Sequence, residues 1–265
     1  MVTDMNLSIS NIAWSAENDR LVYSIMKEHG FAGLEIAPTR IFPESPYDRL
    51  DEASKWAVDL KQEYGFVIPS MQSIWYGKSE KLFGTDDERK ELVRYTKKAI
   101  DFAETIGCRN LVFGCPRNRN MPENADLSTA ISFFKEIGEY ALLHNTVIGM
   151  EANPPIYNTN FINDTKSALD LICEVGSEGF KLNLDVGTMI ANEEDVSVLS
   201  GREDLINHVH ISEPMLKPVE ERKLHNDLAS LLVSNDYLGF VSIETGKQDD
   251  ISLVGSMIDY ISQIF

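Results

Sequence analysis

INHVHIS, residues 206–212, sets Val209 and Ile211 against His208 and His210. A backbone period of two puts these pairs on opposite faces of one strand. The apolar face needs a covering layer, and the imidazole face needs hydrogen-bonding partners or a ligand. The chain has only five histidines, so two on one strand face is a concentration with a physical cause. A buried histidine is ordinarily a hydrogen-bonded core residue, but imidazole is also the commonest metal ligand. The neighbouring segments have to decide between the two.

Similar short apolar runs recur from end to end. NLSISNIAW (6–14), FAGLEIA (31–37), FVIPSMQSI (66–74), RNLVFGC (109–115), NTVIGMEA (145–152), FKLNLDV (180–186) and GFVSIET (239–245) bring the candidate strands to eight. Amphipathic stretches separate them. ENDRLVYSIMKEH (17–29) places Leu21, Ile25 and Met26 on one helical face. DDERKELVRYTKKAIDFAETIG (86–107) spaces Leu92, Tyr95, Ala99, Phe102, Ala103 and Ile106 by three or four over most of its length. Thr85 is its expected N-cap and Gly107 its expected stop. Residues 127–144, 164–176 and 250–265 follow the same pattern, and a weaker helix is expected within EEDVSVLSGRED (193–204).

Strict strand–helix alternation implies a parallel sheet. Spread over eight units, 265 residues give about 33 per unit, as in a closed (β/α)8 TIM barrel of ~250 residues. An open doubly wound sheet is the alternative. It would carry a glycine-rich phosphate loop after the first strand, and SNIAWSAEN (10–18) has no glycine. No linker or low-complexity segment interrupts the chain, so one domain over 1–265 is expected.

The composition narrows the function. Twenty-four basic residues against 42 acidic ones give a net charge of −18. Such a chain repels phosphate backbones, which argues against nucleic acid as a partner. Three cysteines, an odd number without CxxC spacing, suggest reduced thiols and a cytoplasmic setting. MVTDMNLSIS (1–10) has no basic-then-apolar signal pattern, and no run of 18 apolar residues suggests a membrane span.

In such a barrel the reactive residues come from the C-terminal strand ends. The four late strands end in Glu151 (VIGMEANP), Asp185 (KLNLDVGT), His210 (HVHISEP) and Glu244 (VSIETG), roughly one βα unit apart. Their parity is shared. Ile148 and Met150, Leu184 and Val186, Val209 and Ile211, and Val241 and Ile243 face the helices, which leaves the four polar residues pointing into the barrel. Any one of them could be a loop hydrogen-bond acceptor. Three converging carboxylates would repel one another without a cation, and a divalent metal suits three oxygens and one nitrogen. His208, one step deeper, then supports the ligand rather than binding directly.

These residues, with GLEIAPTR (33–40), LNLDVG (182–187), HVHISEP (208–214) and IETG (243–246), make the chain resemble the xylose-isomerase-like TIM barrels. It is similar to their sugar or sugar-phosphate isomerase/epimerase families: ketose 3-epimerases, hydroxypyruvate isomerases and inosose dehydratases. The resemblance implies one divalent metal (Mn, Co, Mg or Zn) on Glu151, Asp185, His210 and Glu244. It implies that Glu151 and Glu244 transfer protons on opposite sides of a small sugar or sugar phosphate, through an enediolate. It implies a metal-dependent isomerase or epimerase and a homodimer, with keto-cyclitol dehydration as the alternative. Apurinic endonuclease and non-catalytic sugar binding rank lower. Thr188 stands where many members carry histidine, and Lys217 only loosely matches an arginine after strand seven.

Further mouth candidates are Glu35, which either contacts substrate or pairs with Arg40, and Trp75 or Tyr76 as a pocket wall. Arg117 and Arg119 could hold an anionic group or be solvated. Glu213, His225 and Lys247 lie close in sequence to the last two strand ends.

Overall fold

A computed structural model describes residues 5–265. Residues 1–4, part of the stretch read as lacking a signal segment, lie outside the described residues. Eight strands form among the described residues: β1 (Asn6–Ser10), β2 (Gly33–Glu35), β3 (Ser70–Met71), β4 (Asn110–Phe113), β5 (Val147–Met150), β6 (Phe180–Asp185), β7 (Ile206–Ile211) and β8 (Phe240–Ile243). All eight predicted runs contain one. The helices are α1 (Asp19–Glu28), α2 (Pro38–Ile41), α3 (Leu50–Tyr64), α4 (Asp86–Ile106), α5 (Leu127–Leu143), α6 (Thr165–Val175), α7 (Val186–Ala191), α8 (Lys223–Ser234) and α9 (Ile251–Ile264).

Neighbouring strands pair in parallel in the order β2-β1-β8-β7-β6-β5-β4-β3. The ends of that row meet through bridges between Gly33 and Val67 and between Ile36 and Met71. Backbone bonds from Leu34 to Val67 (2.9 Å) and from Gln72 to Ile36 (2.9 Å) seal the seam. The sheet is thus a closed eight-stranded TIM barrel.

The predicted parity holds. Ile148, Met150, Leu184, Val209, Ile211, Val241 and Ile243 are fully buried between barrel and helices, each contributing about 1.5–3 kcal/mol. The barrel interior is polar instead. Asn110 donates to Ser70 (3.0 Å) and Asn183 (3.1 Å), and Asn183 donates to Glu151 (3.1 Å). Gly149 makes room for this lattice: a Cβ there would sit 2.4 Å from the Asn110 side-chain oxygen.

Thr85 caps α4 through a reciprocal bond with Glu88, and Gly107 ends it at φ 72°. Two expectations need correction. Leu21 of α1 is 54% exposed, while Val22, Tyr23 and Met26 are buried. Tyr23 turns that face inward by meeting Tyr64 and Phe66 edge-on at 4.9 and 5.6 Å. The helix after β6 lies earlier than 193–204. It begins directly after Asp185, whose carboxylate caps the Thr188 amide at 2.8 Å. The later stretch forms only 3₁₀ turns at Val196–Leu199 and Glu203–Leu205, bounded by left-handed backbone at Glu193 and Gly201.

Candidate functional site

The C-terminal strand ends bring Glu151, Asp185, His210 and Glu244 together. One potential ligand atom from each lies within 4.8 Å of the others. The β6–β7 register sets Asp185 beside His210 and the β7–β8 register sets His210 beside Ser242, two residues before Glu244. His210 Nδ1 is 3.0 Å from Glu151 Oε1 and 3.2 Å from Glu244 Oε2. Gly114 keeps the Glu151 position open, since a Cβ there would lie 2.6 Å from Oε2. Arg119 clamps the end of β5 from behind by donating to the Glu151 carbonyl (2.8 Å) and the Ile162 carbonyl (3.2 Å). Asp185 is held by Ser212 on one oxygen and by Thr188 Oγ1 (2.7 Å) on the other.

The electrostatics favour an added positive charge. Burial and the nearby Glu151 raise the Asp185 carboxyl, and burial raises Glu244 against the pull of His210. Burial disfavours a charged His210, yet Glu35 and Glu244 outweigh it and hold the imidazole well above its ordinary range. Among the described residues, no lysine or arginine lines the cavity at these carboxylates. Three oxygens and one nitrogen, buried and converging, form a cluster that can hold a divalent metal ion.

Behind His210 stands Glu35, fully buried. Its Oε2 meets His210 Nε2 at 2.9 Å and His208 Nε2 at 3.0 Å, and Gln72 donates to its Oε1 at 3.1 Å. Burial works against the Glu35 charge, but the two imidazoles hold its carboxyl well below the usual range. Both histidines of the opening stretch therefore point at one carboxylate. Glu35 does not pair with Arg40, which binds Asp19 instead.

The cavity in front of the cluster has a volume of about 230 Å³, and Gln72, Asn153, Tyr157, Ser212 and Leu216 share its walls with the carboxylates. Several other candidates lie elsewhere. Trp75 is buried against Phe113 and Phe133, and its Nε1 donates to Thr96. Arg117 is exposed beside a separate outer groove. Arg119 is structural, as above, rather than an anion site. Glu213 is tied to Arg222 by two 2.6 Å bonds, and His225 is buried against Tyr260. Lys217 and Lys247 are exposed, and neither lines the cavity.

Gln72, Asn153 and Ser212 escape the sequence reading. Gln72 and Ser212 lie inside the expected runs 66–74 and 206–212, and Asn153 lies one residue past 145–152. Each shares its strand's inward parity, and that was the available signal. Tyr157 sits in a short 3₁₀ turn (Pro155–Tyr157) beyond β5, outside the strand period, and its hydroxyl accepts the Met215 amide at 2.8 Å.

Residues 24–258 match the model of the family described as xylose isomerase-like TIM barrel. The chain belongs to this family. No curated protein matches its sequence significantly. Similar solved structures include 3-keto-D-glucoside 4-epimerase from E. coli, with 17% identity, TM-score 0.75 and coverage of 98% of this chain and 99% of that one. D-psicose 3-epimerase from Clostridium cellulolyticum H10, solved with D-tagatose, has 14% identity, TM-score 0.79 and coverage of 98% and 99%. A family 2 AP endonuclease from Brucella melitensis has 19% identity, TM-score 0.75 and coverage of 98% and 99%.

Proposed function

We propose that the protein is a divalent-metal-dependent sugar epimerase or isomerase. The observation that carries this is the convergence of Glu151, Asp185, His210 and Glu244 within 4.8 Å beside a small cavity. The fold shared with sugar epimerases is compatible with it. A bound Mn, Co, Mg or Zn ion would supply Lewis acidity toward a carbonyl oxygen and its neighbouring hydroxyl. Glu151 and Glu244 come from strands three positions apart and flank His210 from either side. One carboxylate takes the proton α to the carbonyl, and the other returns a proton from the opposite face. Return to the same carbon epimerises, and return to the neighbouring carbon isomerises. Asn183 and Asn153 donate to the two Glu151 oxygens at 3.1 Å each, which supports a held orientation for that carboxylate.

The cavity, at about 230 Å³, is smaller than the roughly 300–1,000 Å³ of drug-sized sites, and suits one monosaccharide ring. Among the described residues its lining carries no cationic side chain, which favours a free sugar over a sugar phosphate at the reacting end. The test is to incubate the metal-loaded protein with a sugar panel in D2O and follow C–H exchange by NMR. Exchange should fall at least about 10²-fold in Glu151→Gln and in Glu244→Gln, with metal content measured for each variant. If both variants keep their metal and exchange at the parent rate, the two-glutamate mechanism is wrong. A keto-cyclitol dehydratase is the alternative, and appearance of a dehydrated product would select it.

A further inference from the structure

The small cavity adjoins a second hollow on its β3–β4 side. Ser73, Cys115 and Pro116 line both it and that hollow, of about 590 Å³, whose outer walls include Tyr76 and Arg117. The shared lining residues Ser73 and Cys115 both have left-handed backbone, at φ 57° and 45°. Non-glycine residues held in that region cost conformational energy and concentrate at ligand-binding sites. Tyr76 is 70% exposed, a broad aromatic ring on the open side of the groove. Lys78 and Asn118, which also line the groove, are engaged. Lys78 binds Glu80 (3.2 Å) and Glu91 (2.8 Å), and the Asn118 amide donates to the Lys78 and Glu80 carbonyls. The Arg117 guanidinium enters no ion pair among the described residues, and only its carbonyl is used, by Lys81.

We infer that this groove is a second-unit subsite, and that the substrate is a disaccharide-sized keto-glycoside. One ring reacts in the small cavity and a neutral second ring lies along Tyr76. The C–H face of a sugar ring complements the electron-rich face of an aromatic side chain. The Arg117 guanidinium offers N–H donors that ring hydroxyls can accept. An anionic second unit fits less well, because the groove has a single unengaged guanidinium in a chain of net charge −18. This inference rests on the sugar reading of the adjoining cavity.

The test compares D-fructose with lactulose and isomaltulose, which attach a second ring to fructose through different linkages. Binding to the Mn-loaded protein is measured by calorimetry. At least one disaccharide should bind about tenfold or more tighter than fructose. Tyr76→Ala should shrink that ratio to below about threefold and Arg117→Ala should lower it by a smaller factor. Tyr76 is exposed, so its removal leaves no core cavity, and Tyr76→Phe should retain the ratio. Equal binding of fructose and both disaccharides, or a ratio that survives both alanine variants, overturns the subsite. So does fructose 6-phosphate matching the disaccharides in an Arg117-dependent way, which would make the groove an anion site. The same samples are followed for C–H exchange in D2O. A Tyr76-dependent binding ratio without exchange would sink the proton-transfer reading while supporting the groove.

Discussion

At the scale of single residues, His210 depends on Glu35. Metal-ligating histidines ordinarily donate their other ring N–H to a carboxylate, which fixes tautomer and ring orientation. Here the Glu35 contact at Nε2, 2.9 Å away, leaves Nδ1 facing Glu151 and Glu244. His208 shares that carboxylate and completes its hydrogen bonding from below. Glu35→Gln keeps the shape but supplies an amide in place of a charge, so metal affinity should fall about 10–100-fold. Competition against a metallochromic chelator reads this without reference to activity. An unchanged dissociation constant would show that Glu35 merely fills the barrel. The four converging residues were legible because strand parity and strand ends are local properties. The Glu35–His208–His210 arrangement joins β2 to β7 across the barrel, and no sequence interval encodes such a distance. Between Trp75 and Tyr76 the sequence does not choose: an aromatic after a strand can turn to the mouth or to the helix layer, and Thr96, Phe113 and Phe133 draw Trp75 inward while Tyr76 stays exposed.

At the scale of elements, the loop after β7 and the helix that follows it form one unit. Glu213 and Arg222 close the base of the loop, and Leu216 reaches the cavity wall while its carbonyl accepts the Gly246 amide at 2.8 Å. Met215 and Leu216 both hold left-handed backbone, at φ 64° and 53°. Arg222→Ala leaves the Glu213 carboxylate buried without its partner and should destabilise the fold by about 3 kcal/mol, measured by urea denaturation. His225 of α8 lies behind this loop, with Tyr260 of α9 at 3.0 Å and Glu213 and Arg222 as its charged neighbours. Burial pulls its pKa down to about 4. A depressed histidine favours the neutral folded state, so its contribution is present above the unfolded value of about 6.5 and is lost as pH falls toward 4. Stability should therefore decline over that window, and His225→Gln should flatten part of the decline in urea midpoints measured from pH 7 to 4.5. Parallel slopes for both proteins would refute this. Strand existence was readable here because alternation is strong. The helix after β6 was read too late because Asp185 serves both as a cluster residue and as a helix cap, which compresses two elements onto one position.

At the scale of the whole molecule, charge and closure act together. A net charge of −18 should keep duplex DNA away, despite the fold shared with a family 2 AP endonuclease. An abasic duplex should show neither submicromolar binding nor cleavage at physiological salt, as read by fluorescence anisotropy and gel assay. Barrel closure, which the sequence implied only through the number of units, draws β5, β6, β7 and β8 into one arc and so gathers three carboxylates at a single point. Without a cation that point opposes folding, because burial raises Asp185 and Glu244 against ionisation. A divalent ion held by this cluster would bind the closed barrel and find no preformed site in the unfolded chain. At a thousandfold excess over its dissociation constant it should stabilise the fold by about 4 kcal/mol. For a chain of this length that corresponds to a rise in Tm of roughly 8 °C. Asp185→Asn removes one carboxylate charge from the cluster and should abolish most of the rise, while its metal-free Tm should stay level or increase because one source of repulsion is gone. Calorimetric scans of both proteins with EDTA and with excess Mn give the comparison. Equal metal-induced shifts in the parent and in Asp185→Asn would place the stabilising ion elsewhere on the molecule and remove the four-residue cluster as its site.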